Sequence, residues 1–242
     1  MPRPAKGAVQ RAVTAAVEYG VARAGIAAVR ALDHDVIGQA HHPRGAAGCV
    51  TGWEMAHRPS NRQRSGWVVS LLGVQPADQV LEIGFGPGLA IAELSRQVGE
   101  SGHVYGIDHS EVMLRQASRR NTAAIAAGLV TLTLSSVDQL PALLDGPFDA
   151  ILTVNSLGFW PAPPDQLGEL RRRLRPGGRI AVASQPRCPG ATVRTPLKAA
   201  DEIENLLRDA GYTLMRTETL DLAPPVVCVL GANPDSPLLT NS

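Results

Sequence analysis

Residues 80–94, Val-Leu-Glu-Ile-Gly-Phe-Gly-Pro-Gly-Leu-Ala-Ile-Ala-Glu-Leu, restrict what this chain can fold into more than any other segment. They read as an apolar strand carrying one acid, three glycines at alternate positions, and the start of a helix. Glycine at 84, 86 and 88 lets the main chain turn sharply and approach a ligand, because a side chain at any of them would occupy that volume. The helix that follows offers unpaired N–H groups and a positive dipole end, which suit a negatively charged or hydroxyl-bearing group. A small molecule is expected against this turn.

Spacing narrows the kind of molecule. A dinucleotide fingerprint, Gly-x-Gly-x-x-Gly, needs glycine at 89, and that position is Leu89. The run here is Gly-x-Gly-x-Gly, preceded by Glu82 where a dinucleotide fold carries another apolar strand residue. In this it resembles the class I S-adenosylmethionine (SAM)-dependent methyltransferases, whose first motif reads Asp/Glu-x-Gly-x-Gly-x-Gly. The resemblance implies that Gly84, Phe85, Gly86 and Gly88 approach the amino acid end of SAM, with Glu82 positioning the turn or the ligand's ammonium group.

Residues 103–108, His-Val-Tyr-Gly-Ile-Asp, form a second short strand closing on an acid, 20 residues beyond the last glycine. A carboxylate at the tip of such a strand can accept both hydroxyls of a ribose, since it has two oxygens and a vicinal diol offers two donors. Asp108 is therefore a site residue; its competing role, capping the next helix, falls as well to Ser110. The run from Gly106 through His109 to Met113 and Ala117 looks like the family's second motif, which puts His109 and Met113 beside the cofactor; Met113 is equally suited to core filling. Residues 130–134 read as a third strand. Counting back from Leu140-Pro141, the family's adenine-binding aspartate falls on Ser136, whose hydroxyl can still accept, and the N–H of Val137 would face a ring nitrogen. Asp138 is a second candidate for that contact, behind Ser136, or a solvated turn residue.

A fourth strand, 148–154, ends in Asn155, Ser156, Phe159 and Trp160. Ligands of open parallel sheets bind outside the carboxyl ends of the strands, so Asn155 and Ser156 point toward the transferred methyl group. Aromatic faces attract cations, and a sulfonium is one, so Phe159 and Trp160 either hold the cofactor and wall the acceptor or anchor the loop to the core. Leu174-Arg175-Pro176-Gly177-Gly178-Arg179 then gives helix end, tight turn and fifth strand, a signature these methyltransferases share. A helix over 199–210 stopped by Gly211, and strands over 212–220 and 226–230, complete the seven-stranded doubly wound α/β sheet of order 3-2-1-4-5-7-6, last strand antiparallel, that the resemblance implies.

The expected domains are an N-terminal helical extension or lid over 1–67, a SAM-binding domain over 68–232, and a tail over 233–242. Apolar residues at three- and four-residue steps between Val9 and Ala24 make one alanine-rich amphipathic helix, interrupted by Arg11, Glu18 and Arg23 and so unsuited to spanning a membrane. It would pack against a partner subunit, making a homodimer, or over the active site. In enzymes of this kind the N-terminal region commonly lids the acceptor pocket, which turns Trp53, Met55 and Asn61 toward substrate and offers His57 as general base for a hydroxyl acceptor. His41-His42 does not point to one side of a regular element, so no metal is expected.

With 23 basic against 22 acidic side chains, the net charge of +1 advertises neither nucleic acid nor membrane binding. Arg171, Arg172, Arg173 and Arg175 read as a solvated face. Three scattered cysteines, Cys49, Cys188 and Cys228, read as reduced thiols in a cytoplasm. The resemblance implies SAM as cofactor and methyl transfer to a small-molecule acceptor. Two alternatives stay open, an NAD(P)-dependent Rossmann oxidoreductase, opposed by Leu89, and a SAM-binding regulatory protein without turnover.

Overall fold

A strand buried on both faces reads as an almost unbroken apolar run. β1 (Gln79–Ile83), β4 (Phe148–Val154) and the second half of β5 (Leu174–Ser184) are buried in this way, β2 (His103–Asp108) is buried mainly in its second half, and the edge strand β3 (Val130–Leu134) buries Val130 alone. A computed structural model describes residues 58–186 and 195–234. The helices are α1 (Pro59–Leu72), α2 (Leu89–Val98), α3 (Glu111–Arg120), α4 (Thr122–Ala126), α5 (Pro163–Arg173) and α6 (Thr195–Asp209). Two further strands, β6 (Thr213–Leu220) and β7 (Val226–Ala232), close the sheet.

The strand order is β3-β2-β1-β4-β5-β7-β6. Strands β1 to β5 pair in parallel, while β7 is antiparallel to both β5 and β6. The expected doubly wound sheet is therefore present. Its order reverses between β1 and β4, and the crevice at the carboxyl ends of those two strands is where such sheets take ligands.

Alternation along β1 divides the interior in two. Val80 packs with α1 and α2 residues such as Val68, Leu72, Ile91 and Leu94, while Leu81 and Ile83 pack with Leu167, Leu170, Ile203 and Leu207 from α5 and α6. Glu82 lies on the Val80 side, so its carboxyl enters an otherwise apolar layer.

Helix α1 begins at Pro59, whose missing N–H costs nothing in a first turn, and stops at Gly73 in the left-handed conformation. Its buried residues Asn61, Arg64, Ser65, Val68, Val69 and Leu72 lie on one stripe, polar in its first half and apolar in its second. The helix runs continuously across residues 67 and 68. Among the described residues no helix is long and apolar enough to cross a membrane.

Two local differences from the sequence reading have clear causes. The turn expected at Pro176-Gly177-Gly178 lies inside β5: Leu174 pairs with Phe148 and Arg179 with Ala150, so residues 175–178 bulge opposite Asp149 alone. Asn233 holds that bulge by backbone bonds with Gly177 and Gly178. The arginines of 171–175 are not simply solvated. Arg171 donates to the Ala210 carbonyl at 2.7 Å, Arg173 pairs with Glu169 and Asp145, and Arg175 pairs with Asp149. Glu169, one turn back on α5, and Asp145 and Asp149 from neighbouring segments hold the charges at the helix end.

Candidate active site

A cleft of about 370 Å³ opens at the carboxyl ends of β1, β2 and β4, within the size range of small-molecule sites. Its floor is the turn between β1 and α2, pinned from two directions. Gly84 and Phe85 donate their N–H groups to the Ile107 carbonyl at 2.8 and 3.2 Å, and Gly86 donates to Asp108 Oδ2 at 2.8 Å. From the other side Arg120 Nε donates to the Pro87 carbonyl at 2.9 Å and Asn121 Nδ2 to that of Gly88 at 3.2 Å.

The glycines of this turn do different work. At Gly84, φ is +77°, and an added Cβ would sit 2.6 Å from the Ser156 Cβ, so the turn presses on the loop after β4. At Gly86, φ is +52° and an added Cβ would meet nothing within 4 Å. The space beside Gly86 is thus open to a ligand.

Asp108, 6% exposed, stands at the β2 tip with both oxygens engaged, Oδ2 with Gly86 and Oδ1 with the Ser110 N–H at 2.9 Å. A carboxylate has about four lone-pair sites, so one that orders the turn through two of them can also accept from a diol. Ser110 caps α3 by accepting from the Met113 N–H at 3.4 Å. His109 stands at the rim, its Nδ1 3.9 Å from Asp108 Oδ1. Met113 and Val137 are buried and line the wall. The Ser136 hydroxyl donates to Asp138 Oδ1 at 2.5 Å, which leaves its lone pairs to accept.

Glu82 is the electrostatic anomaly. It is 2% exposed, and its carboxyl is held well above the usual carboxylate range by burial first and by the charge of Asp108 second, with a bond from the Ile91 N–H opposing them. Its Oε2 has no hydrogen-bond partner among the described residues, although buried polar atoms are normally satisfied. A carboxyl oxygen left bare at the floor of a cleft is placed to receive a donor from a ligand.

At the other end, Ser156 is a hub beneath the glycine turn. Its hydroxyl donates to the Ile83 carbonyl at 3.0 Å, meets Thr153 Oγ1 at 2.5 Å and accepts from Trp160 Nε1 at 3.3 Å. Trp160 is correspondingly buried, while Phe159 is 47% exposed at the cleft wall. Phe85 lines the cleft with its ring packed in the core. Asn155 lines the cleft at φ +57° and accepts from the Gln185 N–H at 2.7 Å.

The structure therefore brings together Asn61, Glu82, Gly84, Phe85, Gly86, Asp108, His109, Met113, Ser136, Val137, Asn155, Ser156, Phe159 and Trp160 around one cleft. Gly88 supports it from behind, where an added Cβ would strike Asn121 and Ala117. Trp53, Met55 and His57 lie outside the described residues. Sequence reasoning missed Arg64 and Ser65, both buried and lining the cleft. Their signal was the stripe of α1 carried back from Val68 and Val69 by three and four residues. Among the described residues no group of three or more His, Cys, Asp or Glu is placed to hold a metal ion.

The chain's likenesses to known proteins agree with this site. Residues 80–178 match the family described as "Methyltransferase domain". The chain is 27% identical over 186 residues to the uncharacterized methyltransferase YdaC of Bacillus subtilis, covering 76% of this chain and 98% of that one. It is 32% identical over 136 residues to a demethylmenaquinone methyltransferase of Symbiobacterium thermophilum, covering 55% of this chain and 51% of the relative. A crystal structure of a SAM-dependent methyltransferase from Aquifex aeolicus shares the fold, with a TM-score of 0.59 at 24% identity over 74% of this chain and 95% of that one.

Proposed function

The chain belongs to the class I SAM-dependent methyltransferases, and from that premise we propose that it methylates a small-molecule acceptor, a metabolite, secondary metabolite or lipid-like compound, by in-line displacement. SAM is its cofactor, and two features fit that molecule: the open space beside Gly86 and the bare Glu82 Oε2 at the foot of the same cleft. When bound, SAM supplies a methyl group already activated by its sulfonium, so the protein's work is to hold, align and exclude water.

Asp108 accepts from the ribose hydroxyls; Met113, Ser136 and Val137 take the adenine. Glu82 and the turn from Gly84 to Gly88 receive the amino acid end. Phe159, Trp160 and Ser156, at the β4 tip, wall the acceptor. His57, outside the described residues, takes the acceptor's proton where the acceptor is a hydroxyl. The site lies in the cytoplasm in this reading.

The observation that carries the proposal is the bare main chain at Gly86 beside two buried acids, in a cleft whose volume of about 370 Å³ is that of a small-molecule site. A relative that acts, by its name, on demethylmenaquinone supports the acceptor's size class. The test is incubation of purified protein with methyl-labelled SAM and fractionated cell extract. Label is expected in the small-molecule fraction; label confined to protein or nucleic acid would refute the acceptor class.

A further inference from the structure

The glycine turn is gripped from behind by the junction of two helices. Asn121, the one residue between α3 and α4, is 4% exposed. Its backbone N–H donates to the Ala117 carbonyl and its own carbonyl accepts from the Ile125 N–H, both at 2.9 Å, so the junction fixes its main chain. Its side-chain Nδ2 donates to the Ala117 carbonyl at 2.8 Å and to the Gly88 carbonyl at 3.2 Å. Both partners are carbonyls, so the amide has one workable orientation, nitrogen toward them. Gly88 fits closely against it: an added Cβ would lie 2.6 Å from Asn121 Nδ2.

The Gly88 carbonyl also takes the first bond of α2, from the Ala92 N–H at 3.3 Å. In a planar trans peptide the N–H opposes the C=O, so a carbonyl fixed by two donors directs the Leu89 N–H out of the helix end, where Leu89 lines the cleft. Gly88 is the N-cap, and no side chain caps the first turn, so its N–H groups are open to a ligand. One residue earlier, Arg120 Nε donates to the Pro87 carbonyl at 2.9 Å. It holds that bond although desolvation and the Arg62 charge both disfavour its cationic form.

We propose that Asn121, with Arg120 beside it, is a positioning residue for cofactor binding: from behind the turn the two fix the Pro87 and Gly88 carbonyls, so that the first N–H groups of α2 face the cofactor's amino acid end. This rests on the SAM-binding reading above. Neither residue touches the cofactor; both act through the turn.

Titration calorimetry on the full chain tests it with two probes, S-adenosylhomocysteine, which carries nucleoside and amino acid, and 5′-methylthioadenosine, which lacks the amino acid. In Asn121→Ala the affinity for S-adenosylhomocysteine is expected to fall about fivefold, the size of one lost neutral hydrogen bond, with methylthioadenosine affinity unchanged. Should that variant fail to fold, Arg120→Met, an exposed change that keeps the stem and removes the donor, is expected to shift the ratio of the two affinities the same way by about twofold. A merely structural role would lower Tm and leave that ratio as in wild type. An unchanged ratio in Asn121→Ala, or in Arg120→Met where the first does not fold, would overturn the assignment. Wild-type protein binding neither probe would instead remove the cofactor reading itself.

Discussion

Alanine at Gly86 and alanine at Gly84 should separate ligand binding from folding, although the two positions are two residues apart in one turn. Both have positive φ, so each alanine carries a left-handed backbone penalty of about 1–2 kcal/mol. At Gly86 nothing further is added, because the new methyl meets no atom within 4 Å. At Gly84 it meets the Ser156 Cβ at 2.6 Å and Oγ at 2.9 Å, and overpacking of that kind adds about 1–3 kcal/mol. For a domain of this size 1 kcal/mol moves Tm by roughly 2–4 °C, so Gly86→Ala should lower it by roughly 2–8 °C and Gly84→Ala by roughly 4–20 °C. Binding should rank the other way relative to stability. The methyl at 86 fills the space assigned to the ligand, so S-adenosylhomocysteine affinity should fall at least about tenfold in a protein that still folds, equivalent to about 1.4 kcal/mol. Differential scanning calorimetry and titration calorimetry on the two variants measure both quantities. A Gly86→Ala protein that binds the ligand like wild type would refute the reasoning, because the open space at that turn would then not be where the cofactor lies.

Other expectations rest on single side chains. Glu82 has a folded-state pKa above its unfolded value, so the stability it contributes is fully present below the unfolded pKa and is lost as pH rises through the folded one. The Tm of wild type should therefore fall relative to that of Glu82→Gln as pH rises above the usual carboxylate range, and parallel curves would contradict the buried, raised carboxyl. Ser156→Ala removes the hydroxyl shared by Ile83, Thr153 and Trp160, and should lower stability by about 1–3 kcal/mol in denaturant titration, with more red-shifted Trp emission if Trp160 loses its anchor. Cys228 is fully buried with its thiol pushed up to about 12 by that burial, so peptide mapping after native alkylation at pH 8 should find it unmodified and denatured protein should show it labelled.

The parts of this protein legible in its sequence are those whose cause is local in the chain. The strand, glycine and helix run at 80–94 must turn where it does because only glycine tolerates φ +77° beneath Ser156, and the apolar run of β4 marks a strand covered on both faces. Asp108 was legible because its place at a strand tip follows from the strand itself. The bulge in β5 was not, because its opposite residue, Asp149, and its clasp, Asn233, come from elsewhere.

The sequence by itself determined the sheet, its strand order through family resemblance, and the glycine floor of the cleft. Tertiary structure alone decided that Ser156 supports that floor, that Glu82 is raised by burial and by Asp108, and that Arg64 meets Gln185 across 121 residues of chain. The physical reason is that backbone conformation and burial pattern are set by neighbours in sequence, whereas a hydrogen bond or a shifted pKa belongs to whichever groups the fold sets within a few ångströms.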